Sequence, residues 1–225
     1  MQEHVKHLNE IFERFRYANL KLYPKKCQFA KNKVLYLGYY ITDKGLETDP
    51  DKIKLIHNFP VPQNLKSLRS FIGLAQFYRR FIKNFSKIAA PLFQLQKKDQ
   101  EFHWTPECQE AFDKLKHSLE QTPTLKYPDT TKPFILNTDA SMVAISYILQ
   151  QKDSDGTIRP IAFGGRTLKQ AEKNWTVTEL ECLALLEGCK AYSNYLSNNR
   201  FTILTDHISL KYLNDLKFSN GRLLR

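Results

Sequence analysis

Three carboxylates in this sequence sit where chemistry could be done. Asp139 follows the apolar run Phe134-Ile135-Leu136, within Asn137-Thr138-Asp139-Ala140-Ser141, at the end of an expected buried strand. Glu179 lies in Thr176-Val177-Thr178-Glu179-Leu180-Glu181, at the start of a long, apolar-rich helix. Asp206 closes a second strand-like run, Phe201-Thr202-Ile203-Leu204-Thr205. Two strand ends and one helix start can bring three carboxylates together. Such a cluster repels itself unless cations neutralise it, so the pattern reads as a divalent-metal site. Each residue also has a plainer reading. Asp139 could be a strand-end turn residue, and Asp206 could cap a following helix. Thr176-x-x-Glu179 fits a capping box, in which the glutamate bonds back to the cap amide. Glu181 is the rival to Glu179. At ~100° per residue it lies about 200° round the helix, so only one of the two can face Asp139.

The elements that must position these groups are legible as hydrophobic patterns. Residues 134–137, 144–150 and 158–163 read as three strands, with Asp153-Ser154-Asp155-Gly156 as the hairpin turn between the second and third. Gly164-Gly165-Arg166 ends the third. A helix from 178 to about 196 is apolar on more than one side and should be well buried against the sheet. A fourth strand over 201–205 and a short helix over 209–213 follow.

Upstream, residues 1–18 form an amphipathic pattern, with Val5, Leu8, Ile11, Phe12 and Phe15 as the core-facing stripe. His4 and His7 share a face there, with no carboxylate or cysteine nearby to suggest a metal. Pro24 breaks the helix, 33–41 reads as a strand, and Asp43-Lys44-Gly45 is a turn. Asp49-Pro50 opens a short helix, and Phe59-Pro60-Val61-Pro62 acts as a stiff linker. Asn64 should cap a helix over 65–83. Between its apolar rows runs a third: Lys66, Arg69, Gly73, Gln76, Arg80 and Lys83, at alternating steps of three and four. That row puts positive charge and one side-chain-free position on one face, where a phosphate backbone could approach. Thr105, with Pro106 after it, should cap a helix over 106–120 that buries Ala111, Phe112, Leu115 and Leu119.

Composition agrees with that electrostatic reading. Thirty-four Lys and Arg against 23 Asp and Glu give a net charge of +11, which favours a polyanionic partner, nucleic acid before membrane. The four cysteines are scattered without a C-x-x-C pair, as expected of reduced thiols inside a cell. No stretch is apolar enough to span a bilayer.

The phrases Thr138-Asp139-Ala140-Ser141, Arg159-Pro160-Ile161-Ala162-Phe163, Thr178-Glu179-Leu180-Glu181-Cys182-Leu183-Ala184 and Thr205-Asp206-His207, in that order, resemble the ribonuclease H region of Gypsy-class LTR retroelement Pol polyproteins. The resemblance covers essentially the whole chain. It implies a mixed α/β fold: a reverse-transcriptase palm remnant (1–59), a helical thumb (60–98), a connection (99–131), and an RNase H-like unit with a mixed sheet and flanking helices (132–225). It implies that Leu37, Gly38 and Tyr39 lie near a primer strand and that the basic row grips a primer-template duplex. Its Thr-Glu-Leu phrase selects Glu179. Asp139, Glu179 and Asp206 would then be catalytic, holding Mg²⁺ (or Mn²⁺) to cut the RNA strand of an RNA/DNA hybrid by two-metal chemistry. The implied partners are such a hybrid or duplex and the remainder of the Pol polyprotein, in the cytoplasm (in virus-like particles) or the nucleus. The alternative is a non-catalytic nucleic-acid-binding relic or domesticated module. The family's late fourth carboxylate has no counterpart before Arg225, so cleavage is expected to be weak or absent, and Asp215 is expected to be a solvated bystander.

The polymerase carboxylates of that family, a Tyr-x-Asp-Asp phrase and an earlier Asp, also have no counterpart here. The purified chain should therefore fail to extend a primed template in the presence of deoxynucleotides and Mg²⁺. Template-dependent extension in that assay would contradict the reading.

Overall fold

The computed structural model describes residues 2–97, 100–208 and 210. By contact density the chain divides into two units, residues 1–34 and 35–225.

In the first unit, helix α1 (Gln2–Tyr17) forms as its periodicity predicts. Its stripe is not a core stripe, however: no residue of α1 is buried. Phe12 meets the edge of Phe29, at 6.4 Å between ring centroids. A three-residue 3-10 turn begins at Pro24, where the missing N–H permits a helix start and forbids a continuation.

A three-stranded sheet of order β1 (Lys33–Tyr36), β2 (Tyr39–Thr42) and β3 (Leu46–Thr48) follows, its first strand spanning the division between residues 34 and 35. The β1–β2 loop is Leu37-Gly38, with φ of 49° and 80°. Two positive φ values suit the twist of a tight hairpin, at some cost for a leucine. Gly38 is required twice over, since a Cβ there would also lie 2.9 Å from the Phe77 ring. Helix α2 (Pro50–His57) is capped by Asp49, whose side chain accepts from the Asp51 N–H at 3.1 Å.

Helix α3 (Leu65–Phe77) starts where expected: the Asn64 side chain accepts from the Ser67 N–H at 2.9 Å. It stops six residues before the expected end. The chain turns at Tyr78 and continues as a 3-10 turn, Arg79–Phe81. No proline or glycine forces this. Tyr78 is 2% exposed and its hydroxyl donates to the Gly38 carbonyl at 3.0 Å, and Phe81, Ile82 and Phe85 are buried behind it. Those positions keep helical spacing (i, i+3, i+4, i+7), so the apolar pattern does not announce the break, and tertiary context overrides it. Short helices α4 (Phe85–Ile88) and α5 (Ala90–Gln94) follow. Helix α6 (Pro106–Glu120) is capped by Thr105, with the Cys108 N–H donating to its hydroxyl at 3.4 Å. One apolar cluster draws on Ile56, Leu68, Phe71, Phe81, Phe112, Leu115 and Leu125, so α2, α3 and α6 share a core.

The larger sheet has the order β6-β5-β4-β7, from β4 (Phe134–Ala140), β5 (Ala144–Lys152), β6 (Ile158–Thr167) and β7 (Phe201–Leu204). β4 runs antiparallel to β5 and parallel to β7, in register Asn137↔Leu204. Helix α7 (Val177–Ala191) packs on β4 and β5, and α8 (Ser193–Leu196) continues after a break at Tyr192, inside what the sequence suggested was one helix. The helix expected over 209–213 lies outside the described residues.

The expected stop at Gly164-Gly165 is also corrected. β6 runs through both glycines, pairing Gly164 with Tyr147 and Gly165 with Ser146. They are needed for close approach rather than for a turn. A Cβ on Gly164 would lie 2.1 Å from the Tyr147 ring, and one on Gly165, at φ 147°, would lie 2.4 Å from the Ile145 carbonyl oxygen. Gly165→Ala should therefore lower the stability of the chain by about 2 kcal/mol or more, because backbone must move to admit the methyl. A urea midpoint equal to that of the unsubstituted protein would show that the strand relaxes freely.

Candidate metal and nucleic-acid site

The parallel pairing of β4 and β7 is what brings two of the three carboxylates together. With Asn137 opposite Leu204, the next residues carry Asp139 and Asp206 to the same end of the sheet. Both line a cleft of about 360 Å³, together with Asn137, Thr138, Ser146, Ile148, Leu204 and Thr205. The segment after β7 is tied to α7 by His207, whose Nε2 lies 2.9 Å from the Thr178 hydroxyl.

The structure does not bring Glu179 to that cleft. Its carboxylate turns back on its own helix start, accepting from the Thr176 N–H at 2.8 Å and the Thr176 hydroxyl at 3.1 Å. The Glu179 N–H donates to the Thr176 hydroxyl at 3.3 Å, which completes a capping box. The plainer reading of the Thr-x-x-Glu spacing is the one realised.

Glu181 takes the position expected of Glu179. It is 4% exposed, and its Oε1 accepts from the Ala140 N–H, next to Asp139, at 3.1 Å. Its Oε2 is buried with no hydrogen-bond partner among the described residues. Burial pushes its carboxyl up to about 7; the Ala140 N–H opposes this, and the neighbouring charges of Asp206 and Asp139 add to it. An orphaned, buried carboxylate oxygen beside two further carboxylates fits a cation by charge and by donor type. Among the described residues, no three such side chains are gathered closely enough to form a ready metal shell.

The nucleic-acid candidates divide. Lys66, Arg69, Gly73 and Gln76 stay on α3 and are exposed. A Cβ on Gly73 would meet nothing within 4 Å, so that position is open to an approaching backbone. Arg80 and Lys83 leave the row because the helix ends at Phe77. Arg80 is half-buried with its Nε unpartnered among the described residues, and Lys83 lines both the carboxylate cleft and a neighbouring groove. Leu37 and Gly38 share a groove of about 470 Å³ with Gly73, Leu74, Phe77 and Leu55. Leu37 is 72% exposed at its tip. Tyr39, next in the chain, stacks on Phe77 at 4.9 Å and donates its hydroxyl to the Phe77 carbonyl at 2.8 Å.

The raised Glu181 value has a consequence for metal-free protein. An unfolded glutamate loses its proton near 4.5, while the folded one keeps it to about 7. Between those values the folded state binds more protons, so stability should fall as pH rises through the window. Glu181→Gln should flatten that fall in chemical-denaturation curves recorded across the same range with a chelator present. An unchanged slope would show that Glu181 is not the titrating group.

Residues 104–203 match the family described as the RNase H-like domain found in reverse transcriptase. Over 221 residues the chain is 39% identical to a retrovirus-related Pol polyprotein from transposon 412 of Drosophila melanogaster, covering 98% of this chain and 18% of that polyprotein. It is 34% identical over 227 residues to the transposon Tf2-3 polyprotein of Schizosaccharomyces pombe, covering 99% of this chain and 17% of that one. The chain thus spans about a fifth of the length of these relatives. In architecture it is similar to the foamy viral protease-reverse transcriptase solved with an RNA/DNA hybrid, with TM-score 0.77, 23% identity, and coverage of 100% of this chain and 31% of that one. The same enzyme solved with double-stranded DNA aligns with TM-score 0.75 and 25% identity over 95% of this chain and 45% of that one. The chain therefore carries the RNase H-like domain of a retroelement reverse transcriptase, and its homologues are retrotransposon Pol polyproteins.

Proposed function

We propose that this chain is the part of a retroelement reverse transcriptase that grips a nucleic-acid duplex and cuts the RNA strand of an RNA/DNA hybrid. Asp139, Asp206 and Glu181, in place of Glu179, would hold divalent cations, Mg²⁺ or Mn²⁺. The observation that carries this reading is the unpartnered Oε2 of Glu181, buried beside the two aspartates that line the cleft. Bound ions would supply the activated water and steady the leaving oxygen.

The protein's own contribution is placement. Asp139 and Asp206 are fixed by strand register, and Glu181 by the Ala140 amide. Without a cation Glu181 holds its proton to about 7; with one, the neighbouring positive charge favours the ionised form. Duplex contact falls to the exposed face of α3 and to the Leu37-Gly38 tip. Those contacts address backbone and helix shape, so they select a duplex without reading bases. The relatives solved with an RNA/DNA hybrid and with double-stranded DNA support a duplex ligand for this architecture. The remainder of a Pol polyprotein would be the physiological partner.

The test is cleavage of an end-labelled RNA/DNA hybrid by the 225-residue chain with Mg²⁺ or Mn²⁺. Asp139→Asn and Glu181→Gln should each reduce cutting by roughly a hundredfold or more, the loss expected when a metal ligand is removed. Glu179→Gln, which keeps a capping-box acceptor, should change stability by less than about 1 kcal/mol and leave cutting near its original rate. The reverse pattern would return the catalytic role to Glu179. Tight hybrid binding with no cutting in any variant would identify a non-catalytic binding module.

A further inference from the structure

Lys83 is the residue whose surroundings change most between a helical projection and the folded chain. In projection it extends the basic row of α3. In the structure it stands beyond the end of that helix, where it and Asn84 line the same cleft as Asp139 and Asp206. The two residues come from the turn before α4, and α4 packs on β5 and β6. Asn84 holds the turn in the left-handed region, at φ 58°, and its carbonyl accepts from the Lys87 and Ile88 N–H groups at 3.0 Å. A non-glycine residue there costs energy, and the first turn of α4 over-determines it. Lys83 is exposed and has no ion pair with either aspartate among the described residues.

We propose that Lys83 is a phosphate-binding residue of the carboxylate cleft, contacting the backbone of the strand positioned for cutting. This rests on the hydrolytic reading given above. The physical argument is one of charge. Asp139, Asp206 and Glu181 repel an entering phosphodiester, and cations held by them offset their own ligands first. A lysine lining the same cleft adds a positive charge that pairs with neither aspartate among the described residues, and so favours an entering anion. The helical part of the chain, outside the β4–β7 sheet, thereby supplies one wall of the site.

The experiment compares the full chain with Lys83→Gln and Lys87→Gln. Lys87, an exposed lysine four residues on, lines a neighbouring groove that Lys83 also borders but not the carboxylate cleft, so it controls for loss of one charge. Hybrid binding is measured by anisotropy in Ca²⁺ across a salt series, cutting kinetics in Mg²⁺, and Mn²⁺ affinity separately by calorimetry without nucleic acid. Lys83→Gln should weaken hybrid binding about fivefold to tenfold and lower the salt slope by roughly 0.9, the signature of one lost phosphate contact. KM should rise more than kcat falls, and Mn²⁺ affinity should stay within twofold. Lys87→Gln should change none of these by more than about twofold. Equal behaviour of the two variants would overturn the proposal, as would tighter Mn²⁺ binding in Lys83→Gln, which would make the lysine a counter-ion to the carboxylates. If the unsubstituted chain neither binds nor cuts hybrid, the hydrolytic reading itself fails and this inference falls with it. If that chain cuts and Lys83→Gln matches it, only the inference fails.

Discussion

The constraint that shapes the cleft end of the larger sheet is the burial of one carboxylate beside two others. Asp139 and Asp206 are placed by the parallel pairing of β4 with β7, and Glu181 by the packing of α7 on β4. None of these positions can be adjusted independently. The strands are fixed by backbone hydrogen bonds, and Glu181 is fastened to the Ala140 amide. Burial, more than the neighbouring aspartates, makes Glu181 keep its proton up to about 7. A group that is costly to ionise in isolation becomes useful when a cation is the alternative to a proton.

The surroundings keep that end of the sheet rigid. Tyr147 closes over Gly164 and meets Tyr192 edge-on at 5.6 Å, and the Tyr192 hydroxyl donates to the Ala162 carbonyl at 3.0 Å. Arg79 donates to the Gly165 carbonyl at 3.3 Å, which fastens the 3-10 turn after α3 to β6. The premature end of α3 therefore has a structural consequence. It brings Arg79 to the sheet and leaves Lys83 at the carboxylate cleft, so α3 and the cleft are joined by a short, packed turn.

Several pieces were legible in the residues themselves. Caps at Asp49, Asn64, Thr105 and Thr176 announce their helices because side-chain oxygens at those positions satisfy amides that a helix start leaves free. The strands show as apolar runs, and the turn at Asp153-Ser154-Asp155-Gly156 shows by composition. What misled was the treatment of local pattern as sufficient. A stripe on α1 looked like a core stripe and buries nothing. Two glycines looked like a strand end and are close-contact positions within a strand.

The choice between Glu179 and Glu181 marks the division most clearly. Sequence by itself determined that one of the two must point away from Asp139, since two residues on a helix differ by a fixed angle. It also determined the capping-box spacing, which is a local geometry. Only the tertiary structure decided which carboxylate faces the aspartates, because the rotation of α7 about its axis is set by what it buries against β4 and β5. The same holds for Lys83: its charge is written in the chain, but its place at the cleft depends on the chain turning at Tyr78, which is buried and bonded to the Gly38 carbonyl, a break that the helical spacing of the apolar residues does not announce.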